Sequence, residues 1–438
     1  MLNFVFEKLI PGQSFMALLR KSPKNIVNFY QGNSKLFSSS WRFTVSPLMR
    51  DIFEYDFKHN TKTARAYTIE QAPDNYIIST GVGHDPDHWT GSSKYSSPVL
   101  INDYSNKDIP SLFDLLEPKY LKDLQDNRAW LLIDQSHEGY HRPWLWNWFH
   151  EECDRLSINP NRIIYVTGDQ SAKDTYNSNG LKIIQATTLK SLILDSAQET
   201  DLNIDFDQLL EYKQTHLASI KLYDCINKRP RNQRIYNYLH LVKHNLTDDG
   251  YISMDVIEPT IVVSERELTK NNLSLAILDQ TTQQLPSWVD KPNNTEEFFY
   301  YETRILQDLY RNTWVSLVTE SSYFEYENSI FISEKTFKPI ICLQPFIIVG
   351  SRGVLAKLRA LGYKTFSGWI DESYDNCDDV ERFTAIMRSL EQIKQIPDKL
   401  AWLESMRDVL EHNRNLLISY YTNPTPEHLE LIEYVQTV

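Results

Sequence analysis

At 438 residues the chain exceeds the size at which one hydrophobic core keeps growing, so two domains are expected. Hydrophobic residues make up 41% and charged residues 24%, which excludes wholesale disorder. The net charge of −13 repels a polyanion on average, so nucleic-acid binding would need a local basic patch.

Residues 1–70 have no clear period and read as an N-terminal extension of the first domain. The opening MLNFVFEKLIPG places Glu7 and Lys8 inside a short apolar stretch, which suits neither a signal peptide nor a membrane span. From Asn75 the pattern changes to short apolar runs, YIIST (76–80), AWLLID (129–134) and RIIYVTGD (162–169), each followed by turn residues and a helical stretch. Such runs suit strands buried on both faces of a parallel sheet, and the fold class is α/β. Cys153, Cys225, Cys342 and Cys377 lie far apart without a CxxC pair. Neither a zinc site nor a disulfide framework is expected, and reduced thiols fit a cytoplasmic protein.

The acidic stretch LDSAQETDLNIDFDQ (194–208) precedes a second α/β series that opens with SIKLYDCIN (219–227). This places a boundary near 215, giving domains 1–215 and 216–438. RNQRIYNYLHLVKHNL (231–246) spaces Ile235, Leu239, Val242 and Leu246 as one helix face, with Asp249-Gly250 as its stop. A helix around 296–310, a strand over 313–321, a helix broken at Pro345 and a strand at 346–349 follow. Residues 379–420 read as helical, with a last short helix near 426–436.

In an open parallel sheet, ligands sit at the carboxyl ends of strands, where helix N-termini offer unpaired N–H groups. Two segments of the second domain fit. In CINKRPRNQR (225–234), Lys228, Arg229, Arg231 and Arg234 cluster between a strand and a helix, beside Asn227, and could neutralise a diphosphate. The competing reading is a solvated basic loop. In ISEKTFKP (332–339), Ser333 is a helix cap with Glu334 and Lys335 in the first turn. A carboxylate there can accept from both hydroxyls of a ribose, although charged first turns are usually only solvated.

The run VTESSYFEYENSIFISEKTFKPIICLQPFIIVGS (318–351) resembles the donor-binding block of the fucosyltransferase-like GT-B glycosyltransferases. NKRPRNQRI (227–235) and GVLAKLRALGYKTFSGWIDESYD (353–375) resemble it too, and DQSHEGY (134–140) and IIYVTGD (163–169) do so more weakly. The resemblance implies two Rossmann-like domains with parallel sheets facing a central cleft, the first on the acceptor side and the second binding a nucleotide sugar. It implies that Glu334 holds the donor ribose, that Lys335 contacts phosphate, and that Glu320 lies near the sugar or ribose. Lys338-Pro339 replaces the asparagine usual after the motif, and Arg352 follows the last strand, so GDP- and UDP-linked sugars both remain open.

Departure of a nucleoside diphosphate needs charge stabilisation, and the acceptor hydroxyl needs a base. Arg229, Arg231, Arg234 and Lys335 take the first task, which predicts inverting, metal-independent transfer with the nucleotide sugar as co-substrate and no cofactor. For the base, IDQSHEGYHRPW (133–144) offers Glu138 first and His137 second, near Asp134 and His141. GVGHDPDHW (81–89) places His84, Asp85 and His88 on the acceptor side with His141. Asp85-Pro86-Asp87 spells a D-x-D, but its proline points to a turn rather than a metal site.

Two alternatives stand beside this reading. One is a DNA glycosyltransferase acting on hydroxymethylated pyrimidine bases, disfavoured by the net acidity. The other is a non-catalytic protein that binds sugar nucleotides or glycans.

Overall fold

The computed structural model describes residues 2–5, 48, 52, 64–67, 75–81, 112–116, 118–136, 139, 144–176, 179–187, 190, 193–194, 196–197, 205–227, 230–257, 263–287, 289, 304–324, 329–420 and 423–438. The chain divides into two compact units, Met1–Thr188 with Tyr421–Val438, and Leu189–Tyr420.

The first unit holds a six-stranded sheet in the order β2-β1-β3-β4-β5-β6. Its strands are β1 (Leu2–Val5), β2 (Ala64–Tyr67), β3 (Tyr76–Gly81), β4 (Ala129–Gln135), β5 (Ile163–Thr167) and β6 (Lys182–Gln185), and every pairing is parallel. All seven residues of β4 are buried because core lies on both of its faces. Leu131 and Ile133 pack on one side with Trp146, Trp148 and Phe149 of the helix Trp144–Leu156. Trp130 and Leu132 pack on the other with Ile164, Val166 and Leu431. That division explains the near-continuous apolar runs.

The second unit holds a four-stranded parallel sheet in the order β10-β9-β7-β8. Its strands are β7 (Lys221–Ile226), β8 (Gly250–Ser253), β9 (Thr313–Thr319) and β10 (Phe346–Val349). Two parallel α/β units are the architecture expected.

The expected division at 215 differs from these units on two counts. The helix Phe206–Thr215 belongs to the second unit, because Phe206 and Leu209 are buried there and Lys213 donates to the backbone carbonyls of Tyr310, Arg311 and Thr313. The helix Pro426–Thr437 returns to the first unit, where Leu431 enters the core, Tyr434 Oη donates to Asn161 O at 2.6 Å and Glu430 pairs with Lys173 and Lys182. A helix of ordinary amphipathic pattern does not announce which sheet it covers.

Two further differences concern helix ends. The stretch 379–420 is three helices, Asp379–Lys394, Lys399–Ser405 and Arg407–Ser419, the second opened by Asp398, whose carboxylate accepts from Ala401 N at 2.9 Å. The helix expected over 231–246 spans Asn232–Lys243, and Gly250 begins β8 instead of stopping that helix.

Gly250 stands opposite Tyr223, whose ring atoms would lie 2.4–2.8 Å from any Cβ added there. Tyr223 is fully buried and its hydroxyl donates to Leu246 O at 3.0 Å, so the ring has nowhere to move. Gly250→Ala should therefore cost about 1–3 kcal/mol by overpacking, read as a lower urea midpoint. An unchanged midpoint would refute this packing argument.

Candidate active site

In the second sheet the chain runs from β7 outward to β8, then returns to β9 on the other side of β7. The carboxyl ends of β7 and β9 therefore flank a topological switch point, where open parallel sheets leave a crevice for ligands. Every described donor-side residue singled out in the sequence lies at this edge.

Asn227, directly after β7, is buried and interlaces the strand ends. Its Oδ1 accepts from Thr319 Oγ1 at the end of β9, its Nδ2 donates to Cys225 Sγ at 3.3 Å, and its N–H donates to Ser253 O at 2.7 Å. These bonds give Asn227 a structural part at the switch point.

The helix Asn232–Lys243 follows, with Arg231 as an exposed N-cap whose side chain makes no capping bond. Gln233 fastens this helix to the end of β9, its Nε2 donating to Glu320 O at 3.0 Å and Ser321 O at 2.8 Å. Arg234 is only 5% exposed. Burial, then the neighbouring charge of Arg231, pushes its guanidinium down to about 10, while Glu334 and Glu320 pull the other way. The Arg234 cation therefore lies in the field of both carboxylates.

Glu320 follows β9 and is 0% exposed. Its carboxylate accepts from Ser333 N at 3.0 Å, Ser333 Oγ at 2.5 Å and Thr336 Oγ1 at 2.6 Å. These donors belong to the cap and first turn of the helix Glu334–Ile341, where Ser333 is the N-cap as expected, accepting from Lys335 N at 3.3 Å. The buried carboxylate thus faces the positive end of the helix dipole.

Glu334 is nearly buried, and Lys335 Nζ lies 2.5 Å from its Oε1 and 3.2 Å from Ser333 Oγ. Burial alone would raise the Glu334 pKa, but Lys335 and Lys338 outweigh it and hold the carboxyl below its usual range. An ionised acceptor, an adjacent ammonium and a buried guanidinium can together receive hydroxyl donors and balance an anion.

In the sequence Thr336 closed the Ser333-Glu334-Lys335-Thr336 motif without a role of its own, and Gln233 and Arg382 were passed over. Thr336 and Gln233 are ordinary first-turn residues whose partners lie just after β9. Arg382 lies on the buried side of the helix Asp379–Lys394 and donates to Tyr323 O at 2.9 Å, Gly350 O at 3.1 Å and Cys377 O at 3.0 Å. Its guanidinium lies 4.7 Å from the Tyr323 ring centre, and it ties the segments after β9 and β10 together.

Lys228 and Arg229, the acceptor-side residues His84, Asp85, His88 and His141, and the base candidates Glu138 and His137 lie outside the described residues. Asp134, at the end of β4, is buried and accepts from Leu48 N at 3.0 Å and Ser136 N at 2.9 Å. Among the described residues no cluster of three or more His, Cys, Asp or Glu could hold a metal, and no helix is long and apolar enough to cross a membrane.

No family model matches the chain, and no curated protein matches it. Solved structures similar to it include a trehalose-6-phosphate protein from E. coli bound with UDP-2-fluoro glucose, at 11% identity and TM-score 0.41, covering 100% of this chain and 99% of that one. Anabaena HepE in complex with UDP and glucose matches at 8% identity and TM-score 0.38, covering 100% and 99%. An alpha1,3-fucosyltransferase matches at 8% identity and TM-score 0.35, covering 87% and 89%. Likenesses at this level assign neither donor nor acceptor.

Proposed function

We propose that the chain is a glycosyltransferase that moves a hexosyl or pentosyl group from a nucleoside-diphosphate donor to an acceptor hydroxyl. The observation that carries this reading is the convergence of Glu334, Lys335, Arg231 and Arg234 at the carboxyl edge of a parallel sheet, beside its switch point. The sequence resemblance over 318–351 points the same way.

In this reading the Glu334 carboxylate accepts from the ribose hydroxyls. Lys335, Arg231 and Arg234, with Lys228 and Arg229, balance the diphosphate as it leaves. Charge developing on the leaving group is then met by fixed cations, which makes transfer metal-independent. Glu138, or His137 in second place, takes the proton of the acceptor hydroxyl as its oxygen bonds to the anomeric carbon and the bond to the nucleoside diphosphate breaks on the opposite face, a single displacement that inverts that carbon.

The test is a thermal-shift screen of GDP, UDP, ADP and their sugar conjugates, followed by assay of donor turnover. A ligand that binds only the folded chain stabilises it by about 2.7 kcal/mol at one hundred times its Kd. One nucleotide should raise Tm, and its sugar conjugate should be turned over. A chain that responds to none of them at millimolar concentration is not this enzyme, and binding without turnover favours the non-catalytic alternative.

A further inference from the structure

Glu320 sits where three elements meet. Its backbone N–H donates to Val349 O at 2.9 Å, its carbonyl accepts from Gln233, and its carboxylate is engaged by Ser333 and Thr336. The strand β10, the helix bearing Arg234 and the helix bearing Glu334 are thus referenced to one residue. The carboxylate also supplies a fixed negative charge at the N-terminus of Glu334–Ile341, the place where that helix would otherwise attract an anion.

We infer that Glu320 is a positioning residue that never touches the donor: it fixes the first turn that presents Glu334 and fills that helix end with an internal anion, leaving the turn to recognise a neutral diol. This inference rests on the donor-site reading for its ligand, though its first test does not. A diphosphate is then held by the cations around Arg231 and Arg234, while Glu334 takes uncharged hydroxyls. The gain is preorganisation, since the first turn needs no ordering when donor arrives.

The first test needs no ligand. In Glu320→Gln, amide hydrogen exchange at Ser333 should speed up at least about tenfold, while core amides of β9 such as Leu317 keep their protection; unchanged exchange at Ser333 would overturn the inference. Thr336→Val, which removes one donor to Glu320 without removing the charge, should give a smaller change in the same direction if Glu320→Gln fails to fold.

The second test compares the nucleotide found by the screen with its sugar conjugate. Glu320→Gln should weaken both by the same factor, about tenfold, and should add nothing further in a Glu334→Gln background, because it acts through Glu334. A loss confined to the sugar conjugate, or full additivity with Glu334→Gln, would mean that Glu320 contacts the donor and would overturn the inference. If the wild-type chain binds no nucleotide, the donor-site reading falls while the exchange result still decides the role of Glu320.

Discussion

Glu334→Gln is expected to lower kcat/KM for the donor about 100-fold, equivalent to about 2.7 kcal/mol. Hydrogen bonds to a charged acceptor contribute about 1.5–3 kcal/mol each, and a ribose diol would bring two of them. An amide of the same shape keeps one acceptor, loses the charge and leaves Lys335, now 2.5 Å from Glu334 Oε1, without its counter-ion. The fold should survive. The Lys335 side chain is 24% exposed, so water can take up its ammonium once the carboxylate is gone, and Tm should fall modestly. Acid dependence follows from the direction of the shift. The folded carboxyl titrates below the usual 4.5, so its contribution is present above 4.5 and lost as pH falls through the depressed value. Donor binding should therefore show no Glu334 titration between about pH 5 and 8. A kcat/KM within about threefold of wild type would remove Glu334 from the donor site.

Much of this edge was legible because strands and caps write locally. Strands expected over 76–80, 129–134, 219–227 and 346–349 occur as Tyr76–Gly81, Ala129–Gln135, Lys221–Ile226 and Phe346–Val349, with residues 76–78, all of Ala129–Gln135, residues 222–225 and all of Phe346–Val349 buried. Ser333 announced its helix because a hydroxyl before a charged first turn is a capping signal whatever the tertiary context. β8 escaped notice because it has only four residues and opens on Gly250, a residue that normally marks a stop. Glu320 was expected near the donor sugar or ribose because the resemblance over 318–351 implies it. Its capping bonds are set by the register of β9 against a helix that starts 14 residues later, and no local pattern encodes that. Arg382 was illegible for the same reason, lying far along the chain from two of the carbonyls it joins, those of Tyr323 and Gly350.

The largest effect on stability should come from Lys213, which is 0% exposed. Its ammonium donates to Tyr310 O at 3.2 Å, Arg311 O at 3.0 Å and Thr313 O, so it satisfies the end of the helix Gln307–Arg311 and the start of β9 together. Lys213→Ala removes this donor and opens a cavity, and should cost about 3–5 kcal/mol in urea unfolding. Lys213→Met keeps the stem and should cost roughly half as much. The pH profile gives an independent check. Burial pushes the Lys213 ammonium down to about 7, although Asp224 pulls it up, so between there and its ordinary 10.5 the unfolded chain binds more protons and stability rises with pH. Asp224 has the opposite sense. Burial raises its carboxyl from 3.8 to about 6, against the hydroxyls of Ser316 and Thr313, so the folded chain binds more protons in that window and stability falls as pH rises. The two limbs meet in a minimum between about pH 6 and 7. Lys213→Met should flatten the upper limb and Asp224→Asn the lower one, and because each charge favours the other, the limb that remains should widen in each variant. Identical pH profiles in wild type and both variants would show that neither group changes its titration on folding, and the destabilisation by Lys213→Ala would then reflect lost hydrogen bonds and packing alone.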